Sequence, residues 1–255
     1  MTNMLQEKVA IVTGAGRGLG KAFALKYAEE GAKLLLPDIS LERAEKTAAE
    51  IRNKGGEAVA METDISEESS TQTVAAKVRE VYGGVDILLN NAALSYGVDP
   101  SPWDSWTVEL WDKHFAINVR GTWLMCKAVA PLMVERGRGK IINIASSIIR
   151  TTPSAMMLPY ACTKAAIHQM TQTLARALGP SGICVNSIAP GRTATEANVI
   201  QNGSDEAFEA VIAEQCIKRK EEPEDLVGAA VFLASESADM VTGQLLFVDG
   251  GAAFV

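Results

Sequence analysis

Tyr160 and Lys164 stand four positions apart in Tyr160-Ala161-Cys162-Thr163-Lys164, a spacing that puts both on one face of a helix. A phenol with a pKa near ~10 is a poor base at neutral pH. A cation one turn away favours the phenolate and lowers that value, which is the tuning a proton-transfer group needs. The pair alone is also what a surface helix carries by chance, so its neighbours decide its meaning. Ser146 and Ser147 end an apolar run 14 and 13 residues before Tyr160. A serine hydroxyl there hydrogen-bonds a substrate oxygen and helps the tyrosine exchange its proton. Asn118, in Ile117-Asn118-Val119-Arg120-Gly121, is an amide inside a helical stretch with glycine three residues on, which is locally unfavourable. It reads as the holder of a backbone kink or of a water near Lys164, against the plainer reading of a polar surface residue.

A second constellation has anion-binding chemistry. Thr13-Gly14-Ala15-Gly16-Arg17-Gly18-Leu19-Gly20 lies between a strand-like run and a helix-like one. Glycine permits close backbone approach, and a helix N-terminus offers free N–H groups to a pyrophosphate. Asp38 ends the second strand-like run, 18 residues beyond Gly20, where a carboxylate takes both hydroxyls of an adenosine ribose and repels a 2′-phosphate. Arg17 argues the other way, because a guanidinium in the glycine loop reaches such a phosphate. Asp38 carries more weight, and NAD is expected over NADP. Ser40 is better placed than Asp38 to cap the following helix. Asp64 and Asn90-Asn91-Ala92-Ala93 follow the third and fourth runs, at the edge where ligands of an open α/β sheet bind. Their short polar side chains suit either an adenine edge or the bracing of a loop.

The elements that must position these residues alternate along the chain. Strands are expected over residues 8–13, 32–38, 57–63, 85–90, 140–145, 183–189 and 245–248. Helices are expected over 19–30, 41–54, 67–82, 110–135, 160–178 and 223–235. Strands without turn signals, separated by helices, imply βαβ crossovers and a parallel sheet covered on both faces. Nothing resembles a linker, so residues 1–255 read as one domain. The stretch 192–219, polar and carrying Asn202-Gly203, reads as a substrate lid or an ordinary insertion.

Composition narrows the classes. The chain has 255 residues, 47% of them apolar, enough for a full core. A net charge of -7 argues against nucleic acid. Cys126, Cys162, Cys184 and Cys216 form no CxxC pair, and with two histidines no metal site is expected; buried, reduced thiols are the reading. No run approaches a membrane span or a signal peptide, so the chain reads as soluble and cytoplasmic.

Taken together and in order, the motifs resemble those of the short-chain dehydrogenase/reductase family over nearly the whole chain. The family's TGxxxGxG is Thr13 to Gly20, its NNAG is Asn90 to Ala93 with alanine for glycine, and its YxxxK is Tyr160 to Lys164. Its PGxxxT is Pro190 to Thr195, and its TGQxxxVDGG runs from Thr242 to Gly251. The serine spacing departs from the family by one residue if Ser146 is used, whereas Ser147 has the usual spacing. Ser146 is preferred because Ile141-Ile142-Asn143-Ile144 leads to it without a gap.

The resemblance implies a single-domain α/β Rossmann fold with a seven-stranded parallel sheet in the order 3-2-1-4-5-6-7. It implies an NAD-dependent oxidoreductase interconverting a secondary alcohol and a ketone, and a homotetramer paired through long helices and through the final helix and strand. Tyr160 would be the acid/base and Lys164 would hold the nicotinamide ribose. Ser146 would orient the substrate oxygen, and Asn118 would sustain a water-linked relay. Gly14, Arg17, Gly18, Leu19 and Gly20 would cradle the pyrophosphate. Asp38, Asp64, Ile65, Asn91 and Ala92 would line the adenosine side, with Asn91 reaching the nicotinamide. Pro190, Gly191, Thr193 and Thr195 would face the carboxamide and phosphates.

The substrate side is expected after Asn91, between Ser147 and Tyr160, and after Pro190. Leu94, Tyr96, Ile148, Met156, Met157 and Leu158 make it mainly apolar, which suits a hydrophobic, cyclic or aryl substrate. Arg150 and Arg192 point instead to an anionic hydroxy acid or sulfonate, with polyols a further alternative. Trp103, Trp106 and Trp111 border the entrance or anchor the long helix. A non-catalytic nucleotide-binding regulator is the remote alternative, and the intact Tyr160, Lys164 and serine oppose it.

Overall fold

The computed structural model of the chain describes residues 3–95, 99–151, 155–196 and 205–254. Tyr96, Asn202-Gly203 and Val255 lie outside the described residues. Seven parallel strands form one sheet in the order β3-β2-β1-β4-β5-β6-β7. They are β1 (Val9–Val12), β2 (Lys33–Asp38), β3 (Glu57–Glu62), β4 (Ile87–Asn90), β5 (Gly139–Ile144), β6 (Ile183–Pro190) and β7 (Leu245–Val248).

Side chains on a strand alternate between faces, and here each face has its own core. Ala10, Val12, Leu34, Leu36, Ile87, Leu89, Ile142 and Ile144 point to one side. There they meet Phe23 and Tyr27 of α1 (Gly18–Glu29), Ile51 of α2 (Leu41–Asn53) and Leu226 and Leu233 of a later helix, Pro223–Ala234. Val9, Ile11, Leu35, Leu88 and Ile141 point to the other. They meet Val74 and Val78 of α3 (Glu68–Tyr82) and Met125 and Val129 of the long helical run. Continuous apolar strands are therefore what burial on both faces requires.

The expected single helix over 110–135 is three joined pieces. These are α4 (Val108–His114), a wide π-helical turn (Phe115–Gly121) and α5 (Thr122–Arg136). The wide turn contains the unfavourable Asn118 and Gly121, the two residues least suited to a regular helix. Gly121 is required for packing: a Cβ there would lie 2.8 Å from the Ile65 side chain. The helix expected from Tyr160 starts earlier, as α6 (Leu158–Leu178), because Pro159 fits the first turn. Within 192–219, residues Asp205–Glu214 form α7, and Pro223–Ala234 is α8.

The thiols are less uniform than expected: Cys126 is buried, Cys162 and Cys184 are half-buried, and Cys216 is exposed in the connector between α7 and α8. No described helix is long and apolar enough to cross a membrane.

Candidate active site

The carboxyl ends of β1, β4, β5 and β6 deliver the singled-out residues to one edge of the sheet. Tyr160 lies near the start of α6, and the Ser146 side chain just beyond β5 is placed to favour its phenolate. Ser147 is buried and begins the short 3-10 turn Ser147–Arg150. Of the two serines, Ser146 is the one whose side chain acts on the tyrosine.

Lys164 is buried one turn along α6. Its Nζ donates to the Ile144 carbonyl at 2.6 Å and lies 5.5 Å from the centre of the Tyr160 ring. The electrostatics correct one expectation. Burial pushes the Tyr160 phenol up to about 12, against a smaller lowering by Ser146. Burial also pushes the Lys164 amine down to about 7. Both shifts favour the neutral forms, because desolvation outweighs any charge–charge gain across the pair.

Asn118 ties two walls together. Its Oδ1 accepts from Leu94 N at 2.6 Å, and its Nδ2 donates to Leu94 O and to Thr163 Oγ1, both at 3.1 Å. Thr163 Oγ1 in turn donates to the Tyr160 carbonyl at 2.7 Å. The amide that looked out of place in a helix therefore joins the loop after β4 to the first turn of α6. Thr163 sat inside the Tyr-x-x-x-Lys motif without being singled out; its buried place between the two named residues was the available signal.

The glycine loop is braced from below. Asn91 Nδ2 donates to the carbonyls of Thr13 (3.1 Å) and Gly14 (3.3 Å). Thr13 Oγ1 accepts from the backbone N–H groups of Asn91 and Ala92, each at 3.0 Å. Of the two roles open to Asn91, its side chain takes the bracing one. Gly20 has no room for a Cβ, which would fall 2.1 Å from Gly14 O. Gly18 has φ +54°, and α1 starts at Gly18 without a side-chain cap. Its first N–H groups have no acceptor within the helix, which fits a pyrophosphate.

Asp38 is buried and already engaged. Oδ2 accepts from Gly16 N (2.9 Å), and Oδ1 from Ser40 N (2.9 Å) and Arg43 Nη2 (3.2 Å). A carboxylate offers about four acceptor sites, so roughly one remains for a ribose hydroxyl. Ser40, as expected, caps α2 by accepting from Arg43 N at 3.4 Å. Asp64 Oδ1 accepts from the backbone and hydroxyl of Ser66, at 2.8 and 2.7 Å. Ile65 is buried against Gly121, so only its backbone faces the sheet edge.

Beyond β6, the side chain of Thr193 is turned inward. Its hydroxyl donates to Glu221 Oε1 at 2.5 Å, and Gly191 N donates to Glu221 Oε2 at 3.1 Å. The proton of the Thr193 hydroxyl is thus committed to Glu221, and the oxygen can still accept. Thr195 Cβ and Cγ2 lie 3.6 Å from where a Cβ on Gly18 would stand, so this segment and the glycine loop form two facing lips. Glu221 was missed in the sequence because Glu221-Glu222 before Pro223 reads as an ordinary solvated helix start.

Leu94, Ile148, Met157 and Leu158 are half-buried around the Tyr160 side of the cleft, Met156 is exposed, and Ser101 N donates to Met156 O at 2.9 Å. Arg150 is exposed, and the Arg192 guanidinium lies 5.0 Å from the Phe208 ring of α7. Trp106 and Trp111 anchor the helix, against His114 (6.0 Å) and Phe115 (5.0 Å), while Trp103 is exposed.

Residues 14–253 match the family model described as enoyl-(acyl carrier protein) reductase. The chain is 40% identical to galactitol 2-dehydrogenase of Agrobacterium fabrum, over 97% of this chain and 98% of that one. It is 36% identical to 2,5-dichloro-2,5-cyclohexadiene-1,4-diol dehydrogenase of Sphingobium indicum, over 98% of each. The crystal structure of gluconate 5-dehydrogenase from Burkholderia cenocepacia, in complex with NADP and tartrate, superposes with a TM-score of 0.92 at 33% identity, covering 98% and 97% of the two chains.

Proposed function

The chain belongs to the short-chain dehydrogenase/reductase family of NAD(P)-binding oxidoreductases, and from that premise we propose that it oxidises or reduces one secondary alcohol position of a polyhydroxylated substrate. Tyr160 is its acid/base in this reading, and NAD is its preferred cofactor. The observation that carries the reading is the Tyr160 ring 5.5 Å from the buried Lys164 amine, beside Ser146 and on the same sheet edge as the glycine loop. Galactitol, gluconate and the cyclohexadiene-diol named for the relatives all carry more than one hydroxyl, which supports the substrate class.

When bound, the nicotinamide supplies the hydride acceptor or donor. The protein's own part is proton transfer and placement. Tyr160 takes the hydroxyl proton during oxidation and returns it during reduction. Ser146 holds the substrate oxygen beside the phenol. Lys164, when protonated, lowers the cost of a phenolate one turn away. Asn118 fixes the start of α6 against the loop after β4, and so acts as a positioning residue. The segment 192–219, with Phe208 of α7 packed between Arg192 and Lys220, serves as the lid.

A second reading, a cyclic diol, is favoured by the apolar margin of Leu94, Ile148, Met157 and Leu158. A homotetramer is supported by exposed Val108, Trp123 and Val134 on α4 and α5, and by exposed Phe232, Leu246 and Phe254 at the end of the chain. Light scattering on the purified protein tests it, and a monomeric mass rejects it.

The test of function is NADH fluorescence on mixing with purified protein, followed by a panel of hexitols, aldonates, cyclic diols and aryl ketones with both cofactors. Absence of NADH and NADPH binding at millimolar cofactor rejects the proposal. Binding without turnover on any class points instead to a nucleotide-binding regulator.

A further inference from the structure

Glu221 is a buried carboxyl that the hydride chemistry does not use. It lies in the connector before α8 and grips the segment after β6 at three places. Its two carboxyl oxygens accept from Gly191 N (3.1 Å) and Thr193 Oγ1 (2.5 Å), and its backbone carbonyl accepts from Ala194 N at 2.7 Å. A parallel bridge pairs Thr193 with Glu221. The gripped segment ends at Thr195, the lip that faces Gly18 across the expected cofactor cleft.

Around Glu221 the acidic neighbours oppose its charge, and Arg219 offsets it only from a distance. Asp249 at the end of β7 and Asp225 of α8 both oppose its ionisation. Arg219 is turned to Asp225, with two contacts of 2.6 Å. Arg192 and Lys220 lie on the Phe208 ring, each at 5.0 Å. Among the described residues, no cation forms an ion pair with Glu221 within 4.0 Å. Burial is accordingly the main cause that raises its carboxyl to about 7. A cavity of about 200 Å³ lined by Glu221, Gln215, Arg219 and Asp225 gives the proton a route.

We propose that Glu221 is a proton-dependent clamp on Gly191–Thr195, closed when neutral and loosened when ionised, and that dinucleotide affinity falls as it ionises. This rests on the reading of Gly191 and Thr195 as cofactor-side residues. Both protonation states can bond Gly191 and Thr193, because a neutral acid donates to the Thr193 oxygen while still accepting from Gly191 N. What differs is the cost of a buried, unpaired charge, which the clamped state alone bears. The released carboxyl has an ordinary pKa, so the clamp is fully stable below about pH 4.5 and loses stability as pH rises through about 7. Glutamine, neutral and able to donate and accept at the same places, holds the clamp closed at every pH.

The experiment is NADH fluorescence titration of the full chain from pH 5.5 to 9, on wild type, Glu221→Gln and Glu221→Ala, with melting temperatures of the cofactor-free proteins alongside. Wild type should lose about tenfold in affinity between pH 5.5 and about 7.5 and stay level from there to pH 9, and Glu221→Gln should remove that loss. Glu221→Ala should bind weakly throughout, and the part of the melting-temperature fall between pH 5 and 7 that Glu221 causes should vanish in Glu221→Gln. A wild-type affinity that is flat from pH 5.5 to 7.5, or a loss in that range unchanged in Glu221→Gln, overturns the clamp. Because the wild-type profile stands alone, a misfolded variant does not shield the proposal. No NADH binding at any pH rejects the dehydrogenase reading itself, a result distinct from either of these.

Discussion

Lys164 Nζ lies 5.5 Å from the centre of the Tyr160 ring while its proton is directed 2.6 Å away to the Ile144 carbonyl. The two groups are close enough to share a field but are not hydrogen-bonded to each other. The lysine is held in place by β5, and the tyrosine sits in the first turn of α6.

Tyr160→Phe keeps the ring and removes the titrating oxygen. It is expected to lower kcat about a thousandfold, within the range of a general acid/base, while NADH affinity stays within about twofold. Steady-state kinetics with the best substrate of the panel and a fluorescence titration measure both. Turnover near the wild-type rate removes Tyr160 from its role.

Lys164→Met should stabilise the cofactor-free protein, and more so at low pH. Burial holds the amine at about 7, against 10.5 for an ordinary lysine. Between those values the unfolded chain binds more protons than the folded one. The lysine's contribution is therefore greatest above about pH 10.5 and is lost as pH falls towards 7. The melting-temperature gain of Lys164→Met should be several degrees at pH 6 and near zero at pH 10. A gain that does not depend on pH contradicts the burial account.

Ser146→Ala and Ser147→Ala should separate cleanly. Ser146 is the serine placed to act on Tyr160, so its loss should lower kcat about a hundredfold. Ser147 is buried at the start of a short turn, and its alanine variant should change melting temperature more than kcat. Parallel kinetics and calorimetry decide it, and equal kcat losses would count against the geometry.

Much of this was legible in the sequence for physical reasons. Strand faces alternate between two cores, so uninterrupted apolar runs such as Leu34-Leu35-Leu36 announce a sheet buried on both sides. The glycine loop, Asp38, Tyr160 and Lys164 were legible because local backbone rules and fixed spacings constrain them. What escaped depends on contacts between distant segments. Glu221 meets Gly191 and Thr193 from some 30 residues away, and no local pattern marks one glutamate of a pair as buried. The inward turn of Thr193 and the joining role of Asn118 and Thr163 are hidden for the same reason. The raised Tyr160 phenol reflects the shape of the whole site, where desolvation outweighs the neighbouring amine.

Asp38→Ala should relax the choice between dinucleotides. The carboxylate accepts from Gly16 N and Ser40 N and pairs with Arg43, so its charge sits beside the glycine loop and partly restrains that arginine. Removing it deletes an acceptor for the ribose hydroxyls and a repulsive charge for a 2′-phosphate, and leaves Arg43 close by. The KM for NAD should rise and that for NADP fall, shifting their ratio by about tenfold or more, the worth of one charged hydrogen bond. Initial rates with each cofactor measure the ratio. A melting temperature taken in parallel controls for the lost Gly16 bond, which by itself would weaken both cofactors equally. If the wild-type protein already prefers NADP, then Arg17 and Arg43 outweigh Asp38 and the assignment of NAD fails.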